Sequence, residues 1–83
     1  MIVFYRDADG RAPFLDWFDR LTEVAKVRCR ARLQLLADQG HQLRRPAADY
    51  LRDGIYELRA RAGRRQYRML YFFRGRSVVV ISL

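Results

Sequence analysis

The order of periodicities along the chain predicts an α+β fold, a two-layer sandwich with helices on one face of a mainly antiparallel sheet. From Gly54 onward, three runs rich in β-branched and aromatic residues are separated by short turns at Ala62–Arg65 and Arg74–Arg76, each holding one glycine. Ahead of them, between about Ala12 and Gly40, apolar residues recur at helical spacing. A single short apolar run, Ile2–Tyr5, precedes the helices. Strand, helix, helix and then a three-strand meander segregates the helices from the sheet, which is the α+β pattern.

Ile2–Tyr5 is read as a strand of about four residues that adds to the later sheet. Arg6–Arg11 is a polar connector with Asp7, Asp9 and Gly10. Pro13 suits the first turn of a helix, where its missing N–H costs nothing. Phe14, Leu15, Trp17, Phe18 and Leu21 continue that helix from about Ala12 to Leu21, and their aromatic stripe reads as core. Thr22 is a candidate N-cap for the second helix, with Glu23 in the turn that the helix dipole favours for an acid. Val24, Val27, Ala31, Leu35 and Leu36 are taken as its buried stripe, and Gly40 as its end. Arg28, Arg30 and Arg32 fall on its solvated side. Gln42–Asp53 reads as a polar connector in which Pro46 argues against a central strand. Asp53-Gly54 is a tight-turn signal leading into the meander.

Within the meander, Tyr56, Leu58 and Ala60 share one face with Tyr67, Met69, Tyr71 and Phe73. Glu57, Arg59 and Arg61 fall on the other face with Gln66, Arg68, Leu70 and Phe72. The third run, Val78–Leu83, barely alternates, as a strand covered on both sides would. After Glu57 the chain has no acid, whereas arginine recurs at 59, 61, 64, 65, 68, 74 and 76.

The 83 residues carry a formal net charge of +8, with a pI near 10.8, which suits a polyanionic partner. Only Lys26 among the basic residues is a lysine, and GC-rich coding would give the same bias. Placement on one sheet face and its turns favours phosphate recognition, for which the planar guanidinium fork is well shaped. The lone Cys29 allows no internal disulfide and fits a reducing, cytoplasmic setting. The lone His41 has no ligand cluster at metal-binding spacing, so no metal or other cofactor is expected. No apolar run approaches membrane-spanning length, so no membrane partner is expected either.

Asp53-Gly54-Ile55-Tyr56-Glu57-Leu58-Arg59, then Gly63, then Arg65-Gln66-Tyr67-Arg68-Met69-Leu70-Tyr71-Phe72-Phe73 resembles the HigB-like, phage-derived branch of the RelE/ParE toxin superfamily. The Phe14-Leu15-Asp16-Trp17-Phe18 helix and the Leu33–Gly40 helix end fit that pattern too. The resemblance covers nearly the whole chain. It implies one RelE-like toxin domain over 1–83, the toxin of a type II toxin–antitoxin pair. Proteins similar to this cleave mRNA on the ribosome without a metal, using the RNA 2′-OH as nucleophile, and are neutralised by a helix-turn-helix antitoxin. By residue match, Arg68 falls where the strand arginine meets the scissile phosphate, and Arg59 where a basic residue lines the same site. Glu57 and Arg61 match less closely. Arg61, Arg64, Arg65, Arg44 and Arg45 are the further candidate RNA contacts.

The family pattern continues past the last strand into a basic segment. Here the sequence ends at Val80-Ile81-Ser82-Leu83, and the expectation is a toxin lacking that segment. Two alternatives therefore stand beside the endonuclease: a catalytically impaired toxin that binds antitoxin or RNA, and a gyrase-directed toxin of the ParE type.

Overall fold

The computed structural model describes residues 1–82, with the side chain of Ser82 left aside; Leu83, the end of the third predicted run, lies outside the described residues. Its elements are β1 (Ile2–Phe4), α1 (Pro13–Asp19), α2 (Glu23–Gln39), a 3-10 turn at Gly40–Gln42, β2 (Ala48–Arg52), β3 (Ile55–Ala62), β4 (Arg65–Arg74) and β5 (Ser77–Ser82). The strands form one sheet in the order β1-β5-β4-β3-β2. Among the described residues, only the β1–β5 pair is parallel. Both helices pack on one face of this sheet, the predicted two-layer α+β sandwich, and the arrangement is RelE-like.

The local signals act as elementary chemistry requires. Pro13 opens α1, and the Thr22 hydroxyl accepts a hydrogen bond from the Ala25 N–H at 3.2 Å at the start of α2. Gly40 ends α2 at φ +53, a conformation that a side chain would strain. Phe14 anchors α1 in the core, stacked on Phe4 with ring centroids 5.1 Å apart. The sheet contributes Leu58, Ala60, Met69, Tyr71, Val78 and Val80 to the same core. Register settles the two meander faces: Tyr56, Leu58 and Ala60 stand opposite Tyr71, Met69 and Tyr67.

Three expectations change. The buried stripe of α2 is Ala25, Cys29 and Leu36, whereas Val24 and Val27 are 61% and 57% exposed and Ala31 is exposed. Spacings of four and seven residues keep Ala25, Cys29 and Leu36 on one line, and the two small residues let the helix approach the sheet. The second change is a fifth strand inside the predicted connector. β2 is an edge strand, so Pro46 just ahead of it removes no ladder bond. Asp53 and Gly54, at φ +52 and +79, form the two-residue turn that joins β2 to β3.

The third change concerns β5. It is an interior strand, but the helices cover only one of its faces. Val79, on the other face, is buried by its register neighbours Val3 and Phe72.

Removing the Leu36 side chain should therefore cost about 2–5 kcal/mol, because it leaves a cavity in the core. Val27→Ala should stay within about 0.5 kcal/mol. Urea unfolding of the two variants against the wild type measures both.

Candidate nucleic-acid interface

On the open face of the sheet, side chains stand in cross-strand rows. One row is apolar: Val3, Val79, Phe72 and Ile55 are successive partners across β1, β5, β4 and β3. At the other end, two like-charged pairs face each other directly. Arg59 is opposite Arg68, and Asp49 is opposite Glu57. Like charges directly opposed across a ladder repel, and long side chains reach their diagonal neighbours instead. Here the neighbours reached along the chain and on the diagonals are attractive. Glu57 Oε1 accepts a hydrogen bond from Arg59 Nε at 2.7 Å and lies 3.9 Å from Arg68 Nε. Asp49 Oδ2 lies 3.5 Å from Arg59 Nη2 and 3.0 Å from Arg45 Nη2.

The result is an ordered chain of charges, Arg68, Glu57, Arg59, Asp49 and Arg45. Three cations and two anions leave it at +1. Glu57 is only 8% exposed, so its position is fixed by packing as well as by charge. The Arg59 side chain is 30% exposed and held on two sides, while that of Arg68 is 60% exposed. The Glu57 hydrogen bond, aided by the nearby charges of Glu57 and Asp49 and opposed by partial desolvation, moves Arg59 further into the cationic range. The Arg45 hydrogen bond and charge, with smaller help from the Tyr50 N–H and Arg59, hold the Asp49 carboxyl below its ordinary value despite partial desolvation.

The remaining predicted contacts do not all join this row. Arg61 keeps the open-face parity, yet its Nε donates to the Gly63 carbonyl at 3.4 Å and its side chain helps line a hollow with Arg28, Arg32 and Leu35 of α2. Arg64 lies in the β3–β4 turn and Arg65 begins β4 on the parity of the helix-covered face; both are exposed. Arg44 turns back, donating to the carbonyl oxygens of His41 and Leu43. Only Arg45 reaches the row, through Asp49. The expected single basic face is thus a short arginine row with cations spread around two hairpin ends and the helix flank. A guanidinium on a three-carbon stem need not lie on the face of its own Cα.

Tyr71 belongs to the core. Burial first, and the neighbouring Tyr56 second, push its phenol up to about 12 against a smaller opposing effect of Arg44. Cys29 is fully buried and its thiol is pushed up by desolvation, which fits a packing role. Sequence reasoning missed Asp49, Tyr50 and Tyr56 as surface chemistry. The signal was the Asp53-Gly54 dipeptide, which implies a strand on both sides. Among the described residues, no group of three or more His, Cys, Asp or Glu side chains could hold a metal ion. Among the described residues, no helix is long and apolar enough to cross a membrane.

The family model for phage-derived Gp49-like proteins (DUF891) matches residues 16–83, which span α1 from Asp16, α2 and the whole charged row. The chain belongs to this family. Gp49-like proteins are a toxin-like family related to RelE and HigB. A search against curated proteins found no match. In this Gp49-like chain the matched segment carries both arginines of the cross-strand pair and both carboxylates that brace them.

Because the folded protein keeps Asp49 ionised below its ordinary value of 3.8, the unfolded chain takes up that proton first on acidification. The stability due to Asp49 should be complete above about pH 4 and be lost as pH falls further. Urea midpoints of the wild type and Asp49→Asn, measured from pH 6 to pH 2.5, should converge at the acid end.

Proposed function

We propose that the Gp49-like chain is the toxin of a type II toxin–antitoxin pair, from the HigB-like branch. It cleaves mRNA on the ribosome by attack of the RNA 2′-OH on the adjacent phosphorus. The supporting observation is the Arg59–Arg68 pair, directly opposed on two adjacent strands and braced from the side by one buried carboxylate. In this reaction the 2′-oxygen gives up its proton to solvent and bonds to phosphorus, the bond to the 5′-oxygen breaks and that oxygen takes up a proton, and negative charge grows on the phosphoryl oxygens in between; the products are a 2′,3′-cyclic phosphate and a 5′-hydroxyl. Donors fixed in advance at that charge stabilise the transition state more than the ground state.

The bracing supports a division of roles between the two donors. Arg59 gives Nε to Glu57 and Nη2 to Asp49, so among the described residues its Nη1 is without a protein partner. Arg68 has a single distant carboxylate at Nε and a more exposed side chain, so it is the better phosphate clamp. Strands hold both at fixed spacing, which loops would not. Residues 1–83 act as one toxin domain, with mRNA on the ribosome as substrate in the cytoplasm. The partner is a helix-turn-helix antitoxin, and Arg64 and Arg65 add diffuse attraction for the RNA.

A second reading has its own observation. Arg59 is engaged by two carboxylates and the row sums to +1, an arrangement that also suits an RNA- or antitoxin-binding module without turnover. Such a module would hold RNA with an affinity that falls steeply with salt and would leave the strand intact.

Programmed ribosomes carrying a defined mRNA separate the two. The wild-type chain should cut the message in the presence of a chelator. Arg68→Ala and Arg59→Ala should each lower the rate by about a hundredfold or more. Intact mRNA with the wild-type chain would overturn the nuclease reading and leave the binding module.

A further inference from the structure

Beside the β2 edge lies a cavity of about 600 Å³ lined in part by His41, Arg44, Arg45, Asp49, Tyr50 and Tyr56. Sites for small molecules fall in the range of about 300–1,000 Å³, so a nucleotide-sized group is accommodated. Its walls combine rings with cations. Tyr50, an exposed aromatic at 54%, meets Tyr56 edge to face with centroids 5.1 Å apart. The Tyr50 hydroxyl accepts a hydrogen bond from the Gly54 N–H at 3.1 Å, so the β2–β3 turn fixes the ring. His41 lies on Phe73 with centroids 3.6 Å apart, which fixes that ring too. Arg44 is tied to the His41 and Leu43 carbonyls at the wall, and Arg45, with its side chain 76% exposed, stands at the mouth.

Tyr50 and Tyr56 have the parity of the helix-covered face and Arg59 that of the open face, and at the β2 edge the cavity and the arginine row are linked by one atom. Asp49 Oδ2 contacts Arg45 Nη2 at 3.0 Å and Arg59 Nη2 at 3.5 Å. The two guanidiniums are therefore neighbours across a single oxygen, so a strand that leaves Arg59 around the β2 edge would meet Arg45. Fixed aromatic rings beside cations are what single-stranded nucleic acid uses: bases stack on the rings and phosphates track the charge.

We infer that the cavity is a base-docking subsite for single-stranded RNA, which takes up the base of a nucleotide close to the one whose phosphate meets Arg59 and Arg68. Tyr50 and His41 supply stacking surface, Arg45 holds the intervening phosphate, and Asp49 offers an acceptor to a base N–H. The inference rests on the RNA-directed reading above, and it adds a determinant of which sequence is held. It makes Tyr50 and His41 specificity residues, with no part in the bond-making step, while Asp49 serves the subsite and also braces Arg59.

The probe is a short single-stranded RNA with 2-aminopurine at successive positions, titrated against the full chain and followed by fluorescence and anisotropy. At one position the fluorophore should be quenched on binding. Tyr50→Ala should weaken affinity on the order of tenfold and remove the quenching. An abasic RNA at that position should bind the wild type as weakly as the intact RNA binds Tyr50→Ala. Tyr50→Phe, which keeps the ring, should restore binding. If Tyr50→Ala does not melt as a folded protein, His41→Ala carries the same readouts. Quenching and affinity unchanged in the folded variants would overturn the subsite. So would cleavage of ribosome-bound mRNA by a chain that quenches no position. Base-dependent binding without any cleavage would support the subsite and overturn the nuclease reading alone.

Discussion

The carboxylate of Glu57 is the constraint on which the open face depends. β3 and β4 set two arginines directly opposite each other, an arrangement that repels on its own. Glu57 lies on the same face, one step along β3 from Arg59 and diagonal to Arg68, and is nearly excluded from solvent. A charge so placed is tolerable only when paired, and here the cations that pair it are the ones that need neutralising. Asp49 repeats the arrangement one strand out, between Arg59 and Arg45. Structure and electrostatics therefore fix the same geometry, and the donors left over face the open side of the sheet.

The helix-covered face explains why that sheet is rigid. Phe14, Leu36, Leu58, Met69, Tyr71 and Val80 are all buried to near completeness between the helices and the sheet. α2 comes close because Ala25 and Cys29 are small where it crosses the sheet. The aromatic stack of Tyr56 on Tyr71, with centroids 5.3 Å apart, continues outward through Tyr50 to the cavity at the β2 edge. One contiguous set of rings thus runs from the core to the surface at the β2 edge.

Much of the fold was legible because it rests on periods of two and on local caps. The alternation in 55–62 and 65–73 assigned both sheet faces, and Pro13, Thr22 and Gly40 marked the helices. The stripe of α2 was read correctly at Leu35 and Leu36 and misread at Val24, Val27 and Ala31, because residue type was weighed there, while helical angle selects Ala25 and Cys29. β2 was missed because Ala48-Asp49-Tyr50-Leu51-Arg52 has the mixed polarity of an edge strand, which neither helix nor second sheet covers. At the site, the Arg59–Arg68 juxtaposition could be read from parity. The bracing by Asp49 could not, because it depends on the unseen strand. Nor could the destinations of Arg44 and Arg61, whose long stems carry the charge away from the position of the backbone.

The coupling of Glu57 to Arg59 is tested most directly by a double-mutant cycle on cleavage of ribosome-bound mRNA, with Glu57→Gln, Arg59→Ala and the double variant compared at saturating chain. If the carboxylate acts by holding the guanidinium, each single change removes most of the rate, and the double variant is scarcely worse than either. Losses that multiply, with Glu57→Gln as damaging in the Arg59→Ala background as in the wild type, would show that the two side chains act independently and would contradict the bracing role given to Glu57.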